Sequence, residues 1–223
     1  MPADTHEQIT TAHQIICEGP DDIAFFSRLI RQRAIPDIQV GCGRKIDGSD
    51  KRCLGTSGFR PRLEALIEIP QPKQRGFLIV TDCDDDPASA LRYAQEQFEA
   101  LELPVPAREL EIAAAPDKPS TAIALLPRAG QEGGLETILL TCCEGIQQQS
   151  LECVNRFCEC LQAENLAIKD QHKLRLRSLI AATCHADPSL GISLWLSEEH
   201  RPFSFANPSL DALAHFLTQF AAC

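Results

Sequence analysis

Carboxylates in this chain gather in two short groups, Glu18-Gly19-Pro20-Asp21-Asp22 and Asp82-Cys83-Asp84-Asp85-Asp86. Each group follows an apolar run, Ile15-Ile16-Cys17 in the first case and Phe77-Leu78-Ile79-Val80 in the second, so each stands where a strand ends. In open parallel sheets ligands sit outside the carboxyl ends of the strands, because loops and helix N-termini converge there. Carboxylates crowded at such an edge repel one another unless protons or divalent cations intervene. Many hard oxygen donors and few nitrogens favour Mg2+ or Mn2+. Glu136, after Gly133-Gly134-Leu135, is a further candidate ligand, with a role in stabilising a helix dipole as the alternative. Lys173, in Gln171-His172-Lys173-Leu174-Arg175, is a candidate to stabilise charge on a phosphorane, against the alternative of a surface lysine. His172 and His185 carry no ligand spacing.

The elements that must position these groups alternate between short apolar runs and helix-like stretches, the pattern of a parallel sheet covered by helices. Strands are predicted at residues 14–17, 38–40, 77–80 and 122–126. Pro20 falls in the first turn of a helix whose positive end Asp21 and Asp22 complement, with Ile23, Phe26 and Ile30 on one face. Further helices are expected near residues 62–68, from Pro87 to about residue 100, and from Leu135 after the Gly130, Gly133 and Gly134 loop. Beyond Cys143 the spacing of Leu151, Val154, Cys158 and Leu161 is helical, and Asn207-Pro208 opens a last helix. The predicted organisation is an α/β core over residues 10–127 and a mostly helical C-terminal extension, residues 128–223, packed on it.

Composition sets the class. The chain has 223 residues, 44% hydrophobic and 23% charged, the profile of a globular protein with a substantial core. No apolar run approaches the roughly 18 to 20 residues that span a bilayer, and the polar N-terminus has no export-signal pattern, so a cytoplasmic protein without a membrane partner is expected. On that reading the eleven cysteines are free thiols that pack as small hydrophobes. Cys142, Cys143, Cys153, Cys158 and Cys160 lack the C-x-x-C pairs of a zinc site. The net charge is −10, yet residues 28–75 hold eleven Lys or Arg against five Asp or Glu. A basic stretch in an acidic chain suits phosphate contact, with Arg44, Lys45, Lys51 and Arg52 as candidates, and a solvated charged face is the other reading.

Ile15-Ile16-Cys17-Glu18-Gly19-Pro20-Asp21-Asp22 and Phe77-Leu78-Ile79-Val80-Thr81-Asp82-Cys83-Asp84 resemble the glutamate and Asp-x-Asp signatures of the Toprim domain, found in topoisomerases, bacterial primases and overcoming-lysogenization-defect type nucleases. The resemblance is clearest over residues 10–127. A closer likeness is to the stand-alone Toprim-like family DUF3226, which extends it through Leu126-Pro127, Gly134-Leu135-Glu136, a helix opening at Lys173, and Trp195. The sequence departs from the pattern at Cys83, where a small residue is usual, and in the acidic run that follows Asp84. The resemblance implies Mg2+ or Mn2+ held by Asp82 and Asp84, a second cation shared by Glu18 and Asp22, and hydrolysis of a nucleic-acid phosphodiester. It also offers Glu18 as general acid or base.

Other readings of the acids fare differently. An EF-hand loop starting at Asp82 would have Pro87 in place of its Gly and Tyr93 in place of its Glu, and fails. A response-regulator receiver would end near residue 125 with a Lys-Pro on its fifth strand, whereas Lys118-Pro119 here comes before the run at residues 122–126, and an Asp-x-Asp glycosyltransferase leaves Glu18 without a role. Helix caps and a solvated turn account for the acids without any chemistry. The sole tyrosine, Tyr93, lies inside a predicted helix, which argues against a strand-passing topoisomerase. The expectation is a metal-dependent nuclease acting on DNA or RNA. Its rival is a non-catalytic Toprim module that binds or regulates within a larger, possibly defence-related, assembly, with a protein partner or second copy.

Overall fold

The run at residues 14–17 forms the buried strand β1 (His13–Cys17), with β2 (Ile38–Cys42) beside it and β3 (Gly76–Asp82) on its other flank, both parallel to it. A computed structural model describes residues 9–43, 53–69, 76–128, 130–197, 199–200 and 202–223. Strand β5 (Ser120–Leu126) extends the sheet in parallel beyond β3, and a two-residue strand β4 (Ile112–Ala113) closes that edge antiparallel, giving the order β2-β1-β3-β5-β4. Parallel pairing brings the ends of β1 and β3 to one edge of the sheet.

Alternate strand residues face opposite sides, so each strand feeds two cores. On one side Ile16, Phe77, Ile79 and Ile123 pack with Phe59 and Leu63 of α2 (Phe59–Glu68) and with Ala94 and Phe98 of α3 (Pro87–Glu99). On the other, Ile15, Leu78, Val80 and Ala124 pack with Phe25, Phe26 and Leu29 of α1 (Pro20–Gln32) and with the C-terminal helices. Those helices are α4 (Leu135–Cys143), α5 (Gln148–Cys160), α6 (Ile168–Thr183), the short α7 (Ile192–Trp195) and α8 (Asp211–Ala221). Burial on both faces is why strands β3 and β5 read as unbroken apolar runs rather than as alternating ones.

The extension is tied down by polar bonds as well. Arg33, just past α1, donates to the Phe205 and Asn207 carbonyls at 2.7 and 3.1 Å and pairs with Asp211 at 2.7 Å. Phe220 of α8 stands edge-on to His13, 5.1 Å between ring centroids, at the start of β1. The result is a mixed α/β fold, a mostly parallel sheet between helical layers with a helical C-terminal part, consistent with a Toprim-like fold.

Several expectations are corrected. Lys173 does not open its helix; α6 begins at Ile168. Asn207 caps a 3-10 turn, Pro208–Leu210, accepting from Ser209 N at 3.0 Å, and the last α-helix starts after it. The cysteines are not all free: Cys42 and Cys53 form a disulfide. The Leu54 amide donates to the Gly43 carbonyl at 2.8 Å, and the backbones of Gly43 and Gly58 touch, so closely that a Cβ on either would lie 2.4 Å from the other. This contact brings the two Cα atoms to 5.6 Å, inside the range a disulfide spans.

Candidate acidic site at the sheet edge

Glu18 leaves the end of β1 and turns its carboxylate across the edge onto β3. Its Oε1 accepts from Thr81 Oγ1 at 2.5 Å and from the Asp82 amide at 2.9 Å, so the two acidic groups are in direct contact. Asp22, in the first turn of α1 and 9% exposed, accepts from the Gly19 amide at 2.9 Å and so holds one unpaired amide of the helix start. Asp82, the last residue of β3, accepts from the Leu135 amide at 3.1 Å, which sets its carboxylate on the N-terminus of α4. Gly134 makes this possible: a Cβ there would stand 2.6 Å from the Asp82 carboxyl carbon. Glu136, in the first turn of α4, completes the group, and its charge acts on both Asp22 and Asp82.

Electrostatics show how poorly these charges are compensated. Burial, then Asp22, Glu18 and Glu136, push Asp82 up from 3.8 to about 8 against the pull of its Leu135 bond. Burial, with Glu18, Asp21 and Glu136 adding to it, pushes Asp22 to about 7. Glu18 is also raised, chiefly by burial, although its two hydrogen bonds and Lys173 oppose the shift. The action of Lys173 on Glu18 places that exposed ammonium within electrostatic reach of the cluster. Directly beneath, the Cys17 thiol is fully buried and raised well above its usual value by burial and by the same acids.

The remaining acids do other work. Asp84, expected beside Asp82, is turned outward: its backbone pairs with Gly133 in both directions at 2.7 Å, and its carboxylate faces Lys169 of α6 at 3.7 Å. Lys169 also reaches Asp85 at 3.1 Å. Asp86 caps α3 through the Ala88 and Ser89 amides, both at 3.1 Å. Asp21 accepts from the Ser193 amide of α7 at 2.9 Å. The cap-and-turn reading thus describes Asp21 and Asp86 fully and Asp22 and Asp82 in part, since each of these two also holds an amide at a helix start; it does not explain why Glu18, Asp22, Asp82 and Glu136 are gathered together.

A cleft of about 340 Å³ opens beside this cluster, lined by Glu18, Thr81, Asp82 and Asp84 and walled by Thr56 and Tyr93. Arg44, Lys45, Lys51 and Arg52 lie outside the described residues. Of the described residues that flank them, Gly43 donates its amide to the Cys17 carbonyl at 3.3 Å and Cys53 is bonded to Cys42. Among the described residues no group of three or more His, Cys, Asp or Glu side chains could hold a metal ion as placed. What fits a hard dication is the donor chemistry: Glu18, Asp22 and Asp82 each use a single oxygen in the hydrogen bonds described, and burial withholds from them the water that would screen their charges.

Sequence reasoning missed Thr81, Thr137 and Lys169. Lys169 was the accessible one, because it lies one turn before Lys173 on the same helix face. Among known proteins, a family model described as "Protein of unknown function (DUF3226)" matches residues 12–222. No curated protein and no solved structure matches the chain. No helix among the described residues is long and apolar enough to cross a membrane.

Proposed function

Since the chain belongs to the DUF3226 family over nearly its whole length, and that family's description assigns no activity, we propose from the site itself that this protein is a divalent-cation-dependent nuclease. The observation that carries the reading is the cluster of Glu18, Asp22, Asp82 and Glu136 at the carboxyl ends of β1 and β3, with Asp82 and Asp22 pushed to about 8 and about 7. Acids crowded together in this way gain from a shared counter-charge on which their side chains can close, and oxygen donors favour Mg2+ or Mn2+ for that role. Bound there, such a cation would supply Lewis-acid polarisation of a phosphoryl oxygen and a water of lowered pKa.

The roles of the chain's own groups follow from their surroundings. Glu18, Asp22, Asp82 and Glu136 offer oxygens from two strand ends and two helix starts, with Asp84 in reserve on the exposed loop. Glu18 keeps Oε1 committed to Thr81 and the Asp82 amide, leaving Oε2 to hold or release a proton at a raised pKa. Lys173 brings a positive charge toward Glu18, where negative charge would build on a phosphorane. The basic residues Arg44, Lys45, Lys51 and Arg52 are the candidates for phosphate contacts, by their charge in the sequence. The pairing of Asp84 and Asp85 with Lys169 favours a second reading, a non-catalytic module whose acids are already partly neutralised from within.

Cleavage of labelled single- and double-stranded DNA and RNA, with Mn2+ or Mg2+ and with EDTA, tests the proposal. Wild type is expected to cut at least one of the substrates only with cation. Glu18→Gln should reduce cutting by about 100-fold or more, the scale of a lost acid-base group, while oligonucleotide binding stays near wild type. Neutralising Arg44, Lys45, Lys51 and Arg52 together should instead weaken binding and lower its salt slope by up to about 0.9 per lost duplex contact. A protein that cuts nothing and whose affinity ignores the fourfold change is the regulatory module.

A further inference from the structure

Helix α6 presents two tracks of cationic and imidazole side chains from its first half. Lys169 and Lys173 lie toward the acidic loop and Glu18. His172 and Arg175, three apart on the adjacent face, lie instead in a separate groove of about 410 Å³ between α4, α5 and α6. Arg175 Nε is buried there with no hydrogen-bond partner among the described residues, and none of the described ion pairs includes Arg175. A buried guanidinium N–H without an acceptor is costly, and native interiors seldom leave one so unless a ligand or water supplies the acceptor.

The groove is physically joined to the acidic site. His172 Nδ1 lies 2.8 Å from Thr137 Oγ1, and that hydroxyl lies 3.4 Å from the Gly134 amide, the residue against which Asp82 packs. Three residues of α4, about 4.5 Å of helix rise, therefore separate Gly134, against which Asp82 packs, from Thr137 at the near edge of the groove. The charges facing Arg175 are Glu144 and Glu152, both exposed at the rim, where solvent and salt screen them. Arg175, half-buried at the floor, acts through a lower dielectric, and its influence reaches His172, whose pKa burial and Arg175 together lower.

We propose that this groove is a second phosphate subsite, in which Arg175, with His172 beside it, binds a phosphate of the same nucleic-acid strand that enters the acidic cleft. The proposal rests on the nuclease reading for the source of the phosphate. A planar guanidinium offers paired N–H donors to two phosphate oxygens, a geometry an ammonium cannot supply. The rim acids bias the site against highly charged free anions and toward a diester, which carries a single negative charge per phosphate.

The test is binding of a fluorescently labelled single-stranded DNA oligonucleotide in EDTA, followed by anisotropy over a salt series, with pyrophosphate as competitor. Arg175→Gln is expected to weaken oligonucleotide binding at least about tenfold, the scale of a lost charge-assisted hydrogen bond, and to lower the salt slope by about 0.7. Arg175→Lys should keep the slope while still losing affinity. Glu152→Gln, an exposed change that leaves the core untouched, should tighten binding a few-fold, so a folding defect in the arginine variants cannot mimic the full pattern. Wild-type affinity and slope in both Arg175→Gln and Glu152→Gln overturn the proposal, even if the protein cleaves nucleic acid with Mn2+. If the variants behave as expected but the wild type cuts nothing, the subsite stands and the nuclease reading falls. Pyrophosphate binding that depends on Arg175, read by titration calorimetry, without any oligonucleotide binding identifies a free-phosphate site and overturns the assignment to nucleic acid.

Discussion

At Asp82 the requirements of a stable fold and of a cation site oppose each other. Its carboxyl titrates near 3.8 in an unfolded chain and at about 8 in the folded one, with Asp22 displaced in the same direction to about 7. Across that window the folded protein binds more protons than the unfolded chain, so stability falls as pH rises from about 4 to about 8 and levels off above. Asp82→Asn should keep an acceptor for the Leu135 amide while removing the buried charge. Even half the displacement is worth about 3 kcal/mol at roughly 1.4 kcal/mol per pH unit, so the variant should gain that much over wild type at pH 8 in EDTA and almost nothing at pH 4. Urea denaturation at the two pH values reads it; an equal loss at both would mean that the Asp82 carboxyl is needed for its contacts whatever its charge, and that the buried charge is not what limits stability. Millimolar Mn2+ should stabilise wild type at pH 8 more than at pH 5, because protons compete for the same oxygens, and should not stabilise Asp82→Asn.

Helix α4 is the element on which the site depends, because its first turn meets the Asp82 carboxylate with an amide and with a residue that has no side chain. Gly134→Ala puts a methyl where the carboxyl group stands, 2.6 Å from its Oδ2. The expected cost is about 1 to 3 kcal/mol, as for other overpacked sites, together with loss of the Mn2+-dependent rise in melting temperature. A variant that keeps the full rise would show that Asp82 has room to move aside and still take part. Much at this scale was legible in the sequence. β1, β3 and β5 were visible because burial on both faces leaves unbroken apolar runs, and α1 and α3 because Pro20 and Pro87 stand at their first positions. Strand β4 was not visible, since Ile112 and Ala113 alone make no pattern and pair only because β5 offers its edge. The acids at strand ends were legible as a group, but their division was not. Asp84 turns to Lys169 because α6 passes over its loop, and that proximity is a property of packing between distant segments. The Cys42–Cys53 bond escaped for the same reason, because it depends on the contact between Gly43 and Gly58.

For the molecule as a whole, a single apolar cluster runs from Ile15, Phe25 and Leu78 through Leu139 and Leu179 to Phe216 and Phe220, so the helical part and the sheet share one side of the core. Arg33 reinforces this from α1 to Phe205, Asn207 and Asp211. Thermal unfolding should therefore be one cooperative transition by far- and near-UV circular dichroism, and Arg33→Ala should lower the whole transition by about 1 to 3 kcal/mol, the scale of a charged hydrogen bond left unmade. Separate transitions for sheet and helices would contradict it. The placement of α8 has a further consequence. Phe220 packs against the very first residue of β1 and lies where a Cβ on Gly76, the first residue of β3, would be 2.8 Å away. The founding pair of strands thus waits for a partner made some 200 positions later, a contact of high sequence separation whose loop-closure entropy is met before any reward. While a ribosome is still making α8, the side of the sheet that it covers has no lasting cover, and the nascent protein offers that apolar face to chaperones or to other nascent copies.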